Sequence, residues 1–96
     1  MSLNSKQRAF LRGKAQHMDA IFQIGKSGVT QESADAVKTA LDARELVKLK
    51  VLDTCPHTAR EAAEILCEMI GCDSVQVIGS KFVLFLKKEK DSQYDI

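Results

Sequence analysis

Between Ile21 and Thr30 the chain reads IFQIGKSGVT, and this stretch constrains the architecture more than any other. Ile21–Ile24 is short, apolar and rich in strand formers. Gly25-Lys26-Ser27-Gly28 breaks it abruptly, and Thr30 is placed to cap a helix that follows. Two glycines three apart let the backbone turn tightly and approach a ligand closely, because neither has a Cβ in the way. The amides of such a turn, and the first amides of the next helix, lack internal partners and attract anions. Lys26 at the tip adds a full positive charge. The stretch therefore predicts a strand–turn–helix unit with the chemistry to hold a phosphate.

The remaining elements follow from periodicity. Residues 4–17 read as a helix capped by Ser5 or Asn4, with Leu11, Ala15 and Met18 on one apolar stripe and Phe10 beside them. Arg8 and Arg12, four apart, project together away from most of that stripe. Gly13 weakens the helix by about 1 kcal/mol relative to Ala and marks a close approach of another backbone or of RNA. Ala20–Ile24 is the first strand. Thr30–Ala43 is the second helix, with Ala34, Val37 and Leu41 inward. In Glu45–Leu52, Val47, Leu49 and Val51 alternate with Lys48 and Lys50, a period of two that predicts a strand. Asp53–His57 holds the only proline, Pro56, and reads as a loop.

Thr58-Ala59-Arg60-Glu61 is a capping-box pattern that starts a third helix. Ala59, Ala62, Ala63, Leu66, Met69 and Ile70 form its buried stripe, Glu61, Glu64 and Glu68 its wet one, and Gly71 ends it. Ser74–Ile78 and Phe82–Lys87 make a hairpin across Gly79-Ser80-Lys81. The polar end, KEKDSQYDI from residue 88, frays, so that residues 89–96 are a tail on a single domain spanning residues 1–96. The order α-β-α-β-α-β-β predicts an α+β, two-layer fold around a four-stranded mixed sheet. The strand–helix–strand unit supplies parallel neighbours and the hairpin antiparallel ones.

Charge is unevenly placed in a chain whose net charge is only +1. Residues 1–28 carry Lys6, Arg8, Arg12, Lys14 and Lys26 against Asp19. Residues 53–73 carry Asp53, Glu61, Glu64, Glu68 and Asp73 against Arg60. A basic front and an acidic back suit a polyanion bound on one side. Nothing resembles a signal peptide or a membrane span. Cys55, Cys67 and Cys72, an odd number in no zinc spacing, read as reduced thiols of a cytoplasmic protein.

A nucleotide-triphosphate loop needs a further glycine five residues before Gly25, where Ala20 stands. His17 and His57 are far apart, and Cys55 with His57 supplies two ligands where a tetrahedral site needs four. No nucleophile–base grouping stands out. The expectation is a protein that is not an enzyme, takes no cofactor or metal, engages no membrane and is a monomer. The use left for a GxxG turn between strand and helix is to clamp a nucleic-acid backbone, as KH modules do with RNA. With four Phe, one Tyr and no Trp, backbone or shape recognition is favoured over aromatic stacking. Two other readings stay open: a module that docks on a ribosomal protein through the acidic helix Thr58–Ile70, and a small nucleotide-binding enzyme.

LNSKQRAFLRGKAQHM, FQIGKSGVT, ELVKLKVL and VQVIGSKFVLFL also resemble the YhbY-like family of CRM domains (chloroplast RNA splicing and ribosome maturation), over roughly residues 3–88. The resemblance implies a KH-like fold, similar to the C-terminal domain of bacterial initiation factor three. It implies RNA binding, with stand-alone bacterial members linked to precursors of the large ribosomal subunit. Carried over, Gly25, Lys26, Ser27 and Gly28 would be the RNA-contacting loop; on the reading of the residues themselves, Arg8 and Arg12 grip phosphates beside it, with Lys6 and Lys14 as weaker candidates. This chain departs from the family where Ala20 replaces a common proline and Phe85-Leu86 a common Tyr-Arg pair. The expected function is binding of structured ribosomal RNA during large-subunit assembly.

Overall fold

A computed structural model describes residues 3–90, 92 and 94. The elements run α1 (Ser5–Ala15), β1 (Phe22–Ile24), α2 (Gln31–Arg44), β2 (Leu46–Val51), α3 (Ala59–Ile70), β3 (Asp73–Ile78) and β4 (Lys81–Phe85). The expected α+β class and mixed sheet are present. The sheet has four strands in the order β1-β2-β4-β3. The β1-α2-β2 unit gives a parallel pair, and β4 is antiparallel to both β2 and β3.

All three helices open on capping boxes. Asn4 caps α1 with Gln7, Thr30 caps α2 with Ser33, and Thr58 caps α3 with Glu61. Each box satisfies two amides that a helix start leaves without internal partners. Gly71 ends α3 in the left-handed region at φ 82°, where a side chain would be strained.

The two faces of β2 organise the core. Val47, Leu49 and Val51 face a large cluster with Ala34, Val37 and Leu41 of α2, Ala62, Ala63 and Leu66 of α3, and Phe82 and Leu84 of β4. Leu46 faces the other way, with Val75, Val83 and Phe85, under Leu11 and Ala15 of α1. The layering therefore differs from the two-layer expectation: α1 covers one face of the sheet while α2 and α3 cover the other. The physical reason is the alternation in β2 and β4, which puts apolar side chains on both faces and requires cover on both. Met69, assigned to the buried stripe of α3, is instead exposed at 43%, and Phe10, beside the apolar stripe of α1, is exposed at 45%. The Lys14 ammonium sits 5.4 Å from the Phe10 ring centroid, which gives that ring a surface partner.

Glu45 does not begin the second strand. It caps α2 with φ 66° and is fully buried. That conformation costs an L-residue on the order of 1–2 kcal/mol. Its bonds offset the strain. The Glu45 amide donates to the Leu41 carbonyl at 2.8 Å, and its carbonyl accepts from the Leu86 amide at 2.9 Å. Its carboxylate accepts from the Lys88 amide at 3.0 Å and the Ser92 hydroxyl at 2.6 Å. The Tyr94 ring packs edge-on against Phe85 with centroids 5.6 Å apart. Burial, reinforced by the Glu45 charge, pushes the Tyr94 phenol up. Ser92 and Tyr94 thus belong to the folded body, contrary to the expectation of fraying from residue 88. The rest of that expectation, at residues 91, 93, 95 and 96, lies outside the described residues. Polarity alone suggested a loose tail because the acceptor that holds it lies 43 residues upstream of Lys88.

Glu45→Ala removes two charge-assisted hydrogen bonds and is expected to cost about 2 kcal/mol. In a chain of this size that lowers the thermal midpoint by roughly 8–16 °C. Glu45→Gln keeps the shape and is expected to lose less than half as much. Calorimetry on both variants checks this, and a midpoint unchanged in Glu45→Ala would mean the tail is held by something else.

Candidate nucleic-acid interface

The GKSG turn follows β1 directly. The Gly28 amide donates to the Gly25 carbonyl at 2.9 Å and closes a four-residue turn. Lys26 and Ser27 stand exposed at its tip, whereas Gly28 is buried. Gly28 has φ 68°, a region that glycine occupies without strain. A Cβ there would lie 2.7 Å from His57 Nε2 and 3.1 Å from Pro56 Cγ. The absent side chain therefore makes room for the loop before α3, and ligand approach is not its main purpose. Gly25 is different: its φ is not positive, and a Cβ would meet only Leu52 at 3.8 Å. Of the turn amides, Gly28's is spent inside the protein, while those of Lys26 and Ser27 lie outside the hydrogen-bonded set of the described residues.

His57 and Pro56 are the contribution that sequence reasoning missed. The His57 amide donates to Cys55 Sγ at 3.4 Å, and Thr58 next to it caps α3. Contact between Gly28 and His57 thus brings the N-terminus of α3 beside that of α2. The two ends differ in charge. In α3 the capping carboxylate is Glu61, held below its usual range by hydrogen bonds from Thr58. In α2 the same position is the neutral Ser33, whose hydroxyl accepts from the Thr30 amide at 2.8 Å. Glu32, exposed in the first turn, is the nearest carboxylate in sequence to that end.

The basic helix does not sit beside this turn. Arg8 is half-buried and its Nε donates to the Ser74 carbonyl at 3.2 Å. Burial pushes the neighbouring Asp73 carboxyl up, and the Arg8 guanidinium draws it partly back. Arg8 thereby straps α1 to the start of β3. Lys6, Arg12 and Lys14 are exposed. Arg12 lines one hollow with Gln76 and Ile78 of β3 and Lys48 of β2, whereas the turn leaves from β1. Between outer strands β1 and β3 lie three strand spacings, about 14 Å. What fills that span is a set of lysines. Lys48 and Lys50 alternate with the core residues of β2, and Lys81 pairs directly with Lys50. Like charges placed opposite one another weaken a sheet. The alternation of Lys48 and Lys50 was visible in the sequence. Their meeting with Lys81 depends on the strand register.

The other sequence candidates are placed as follows. Gly13 has nothing within 4 Å of where its Cβ would stand, so no protein backbone approaches it. Cys72 is buried in the main core, with its Sγ 3.7 Å from that of Cys67. That hydrogen bond lowers the Cys67 pKa and, with burial, raises that of Cys72. Among the described residues, no group of three or more His, Cys, Asp and Glu is gathered for a metal, and no helix is long and apolar enough to cross a membrane.

Gly28→Ala is expected to destabilise the fold by at least about 2 kcal/mol, through positive-φ strain and collision with His57. Gly25→Ala should stay within about 0.5 kcal/mol. Adding His57→Ala should shrink the Gly28→Ala loss without abolishing it, since the backbone strain remains. Urea melts on the single and double variants measure this coupling, and an unchanged loss would dismiss the His57 contact.

The model of the CRS1/YhbY (CRM) domain matches residues 3–85. A Bacillus subtilis protein named probable RNA-binding protein YqeI is 38% identical over 94 residues, covering 98% of each chain. A Haemophilus influenzae protein named RNA-binding protein is 29% identical, covering 93% of this chain and 90% of its own. The solution structure of SAV1595 from Staphylococcus aureus superposes with a TM-score of 0.80 at 34% identity, covering 98% of both chains. With the strand–GKSG–helix unit in place and the match running from Leu3 to Phe85, the chain belongs to the CRS1/YhbY (CRM) domain family.

Proposed function

We propose that this chain is a non-catalytic RNA-binding protein that grips a phosphate of structured RNA at the Gly25-Lys26-Ser27-Gly28 turn. One observation carries the reading. The turn is braced from behind by His57 and Pro56, and it presents an exposed lysine and exposed backbone next to a helix start. A buttressed cationic turn fixes the position of a phosphate without the cost of ordering a loose loop. The names of the relatives support RNA as the ligand. In this reading Lys26 makes the central contact and Arg12 a second one across the sheet. Arg8 has its Nε engaged by Ser74 and offers only its terminal nitrogens, and Lys6 and Lys14 lie at the periphery. The proposed setting is the cytoplasm, and the proposed RNA is ribosomal, bound during assembly of the large subunit by a monomer.

Phosphate contacts release counterions, so log affinity should fall linearly with log salt, by about 0.7–0.9 per neutralised phosphate. Lys26→Ala should reduce that slope by about one contact while leaving the thermal midpoint nearly unmoved, because the side chain is exposed. Ser27→Asp should weaken binding further by placing a carboxylate where phosphate sits. Titration of a ribosomal RNA fragment across salt concentrations, with melts on the same preparations, tests the reading. Full affinity in both folded variants would reduce GKSG to a turn.

Glu61, Glu64 and Glu68 are exposed on α3. Replacing Glu64 and Glu68, the two beyond the helix start that lies near the turn, with Gln is expected to leave RNA affinity within about twofold, as for solvated charges away from a polyanion. A large loss measured in the same titration would move the interface onto α3 and favour the protein-docking alternative.

A further inference from the structure

The sheet face under α1 is only partly covered. Its rows follow from the strand register. Lys48, Val83 and Gln76 lie side by side across β2, β4 and β3, and Lys50, Lys81 and Ile78 form the next row. The preceding residues of the same face, Leu46 and Phe85, pack with Leu11 and Ala15 of α1. The last turn of α1 reaches the Lys48 row through Arg12, Gly13 and Gln16, and the row beyond has only a cleft above it. A cavity of about 110 Å³ there is lined by Lys48, Gln76, Ile78, Lys81, Phe82 and Val83. A second, more open hollow continues from it to Arg12 and Gly13, sharing Lys48, Gln76 and Ile78.

Three features of this cleft have no use inside the protein. The first is Gln76. Strand β3 slips register between Ser74 and Gln76, and the bulge puts two successive residues on one face. Val75 enters the core with α1, while Gln76 lines the cleft on the same side. Bulges re-aim side chains next to functional sites. The Gln76 side-chain amide makes no hydrogen bond to a described residue and opens to solvent in the cleft. The second is Ile78, 61% exposed at the cleft edge. The third is Gly13, which costs the helix about 1 kcal/mol and packs against nothing. Around these stand Arg12, Lys48 and Lys81, none in an ion pair with a described residue. No carboxylate lines either part of the cleft.

An apolar floor, one free amide and a cationic rim fit a nucleotide better than a bare phosphate. The amide offers a donor and an acceptor to a base edge. Ile78 and the Arg12 plane offer a surface to its face, and the lysines reach its flanking phosphates. In paired RNA the base edges are engaged in the helix, so the base entering here must be unpaired. Resting on the RNA-binding reading above, we infer that the cleft between the last turn of α1 and the β2–β4–β3 face holds one unpaired nucleotide of the bound RNA. Lys81 pairs with Lys50, and Lys50 with Gln23 next to Ile24, the residue before the turn. That row is therefore two strand spacings, about 10 Å, from Gln23, and the GKSG turn begins two residues, about 7 Å, further along β1, close enough for one RNA to reach both.

The test uses two RNA probes, a blunt duplex and the same duplex with a single bulged nucleotide. The whole protein should bind the bulged probe roughly threefold to tenfold more tightly, the range of one or two net hydrogen bonds. Gln76→Ala should remove that preference and leave affinity for the blunt duplex unchanged. Gly13→Gln should also remove it, by narrowing the rim, while raising the thermal midpoint by a few degrees through better helix propensity. A purely structural role for Gly13 would give the stability without the loss. Equal binding of the two probes by the unmodified protein, or a preference that survives both variants, overturns the inference. Lys26→Ala separates the two claims because it should weaken both probes equally. If it weakens neither while Gln76→Ala still erases the preference, the turn reading fails and the cleft stands. If neither probe binds at all, the RNA reading fails and the cleft proposal falls with it.

Discussion

The alternation along β2 is the constraint from which most of this structure follows. The strand runs between β1 and β4, so its backbone is paired on both edges and neither face can be ignored. Val47, Leu49 and Val51 need a deep apolar layer, and two helices supply it. The opposite face begins apolar at Leu46 and turns cationic at Lys48 and Lys50. One short helix suffices there, because it has only the apolar part to cover. Burying the lysines as well would require partners for charges taken out of water. The open, basic part of the sheet is thus a consequence of where apolar residues stop along one strand.

The second dependence is the contact between the GKSG turn and the loop before α3. Gly28 and His57 are 29 positions apart and belong to different helix–strand units, yet the room left at Gly28 is filled by the His57 ring. This lets the chain hold a polar, glycine-rich turn in one shape without burying its tip. Lys26 and Ser27 stay in water, and order comes from behind. A turn built this way can meet a phosphate with little loss of conformational entropy.

Much of this was legible in the sequence, for reasons that are local. Period-two alternation placed β2, and the Thr58–Glu61 box placed the start of α3 to the residue. The glycine spacing placed the turn. What the sequence concealed depends on long-range register. Glu45 read as the first residue of a strand because nothing nearby shows that Lys88 and Ser92 return to it. Arg8 and Arg12 look equivalent on a helix drawn alone, and only the Ser74 carbonyl distinguishes them. Cover on both faces was not read because Phe82–Phe85 of the second hairpin strand is a short apolar run that by itself does not show which face each residue takes.

Such a run has a further consequence. In β4, Phe82 and Leu84 enter one core while Val83 and Phe85 enter the other, so this strand joins the two layers and cannot slip without exposing both. Its partner β3 has more freedom, being at the sheet edge. The irregularity falls there, between Ser74 and Gln76. An edge strand can take an extra residue at the cost of a local ladder break, whereas a central strand would lose pairing on two sides. The bulge also twists an edge that would otherwise be open to pairing with another chain. The same extra residue keeps Val75 in the core and leaves Gln76 over the cleft. Edge protection and the placement of one polar side chain are therefore achieved by a single change in register.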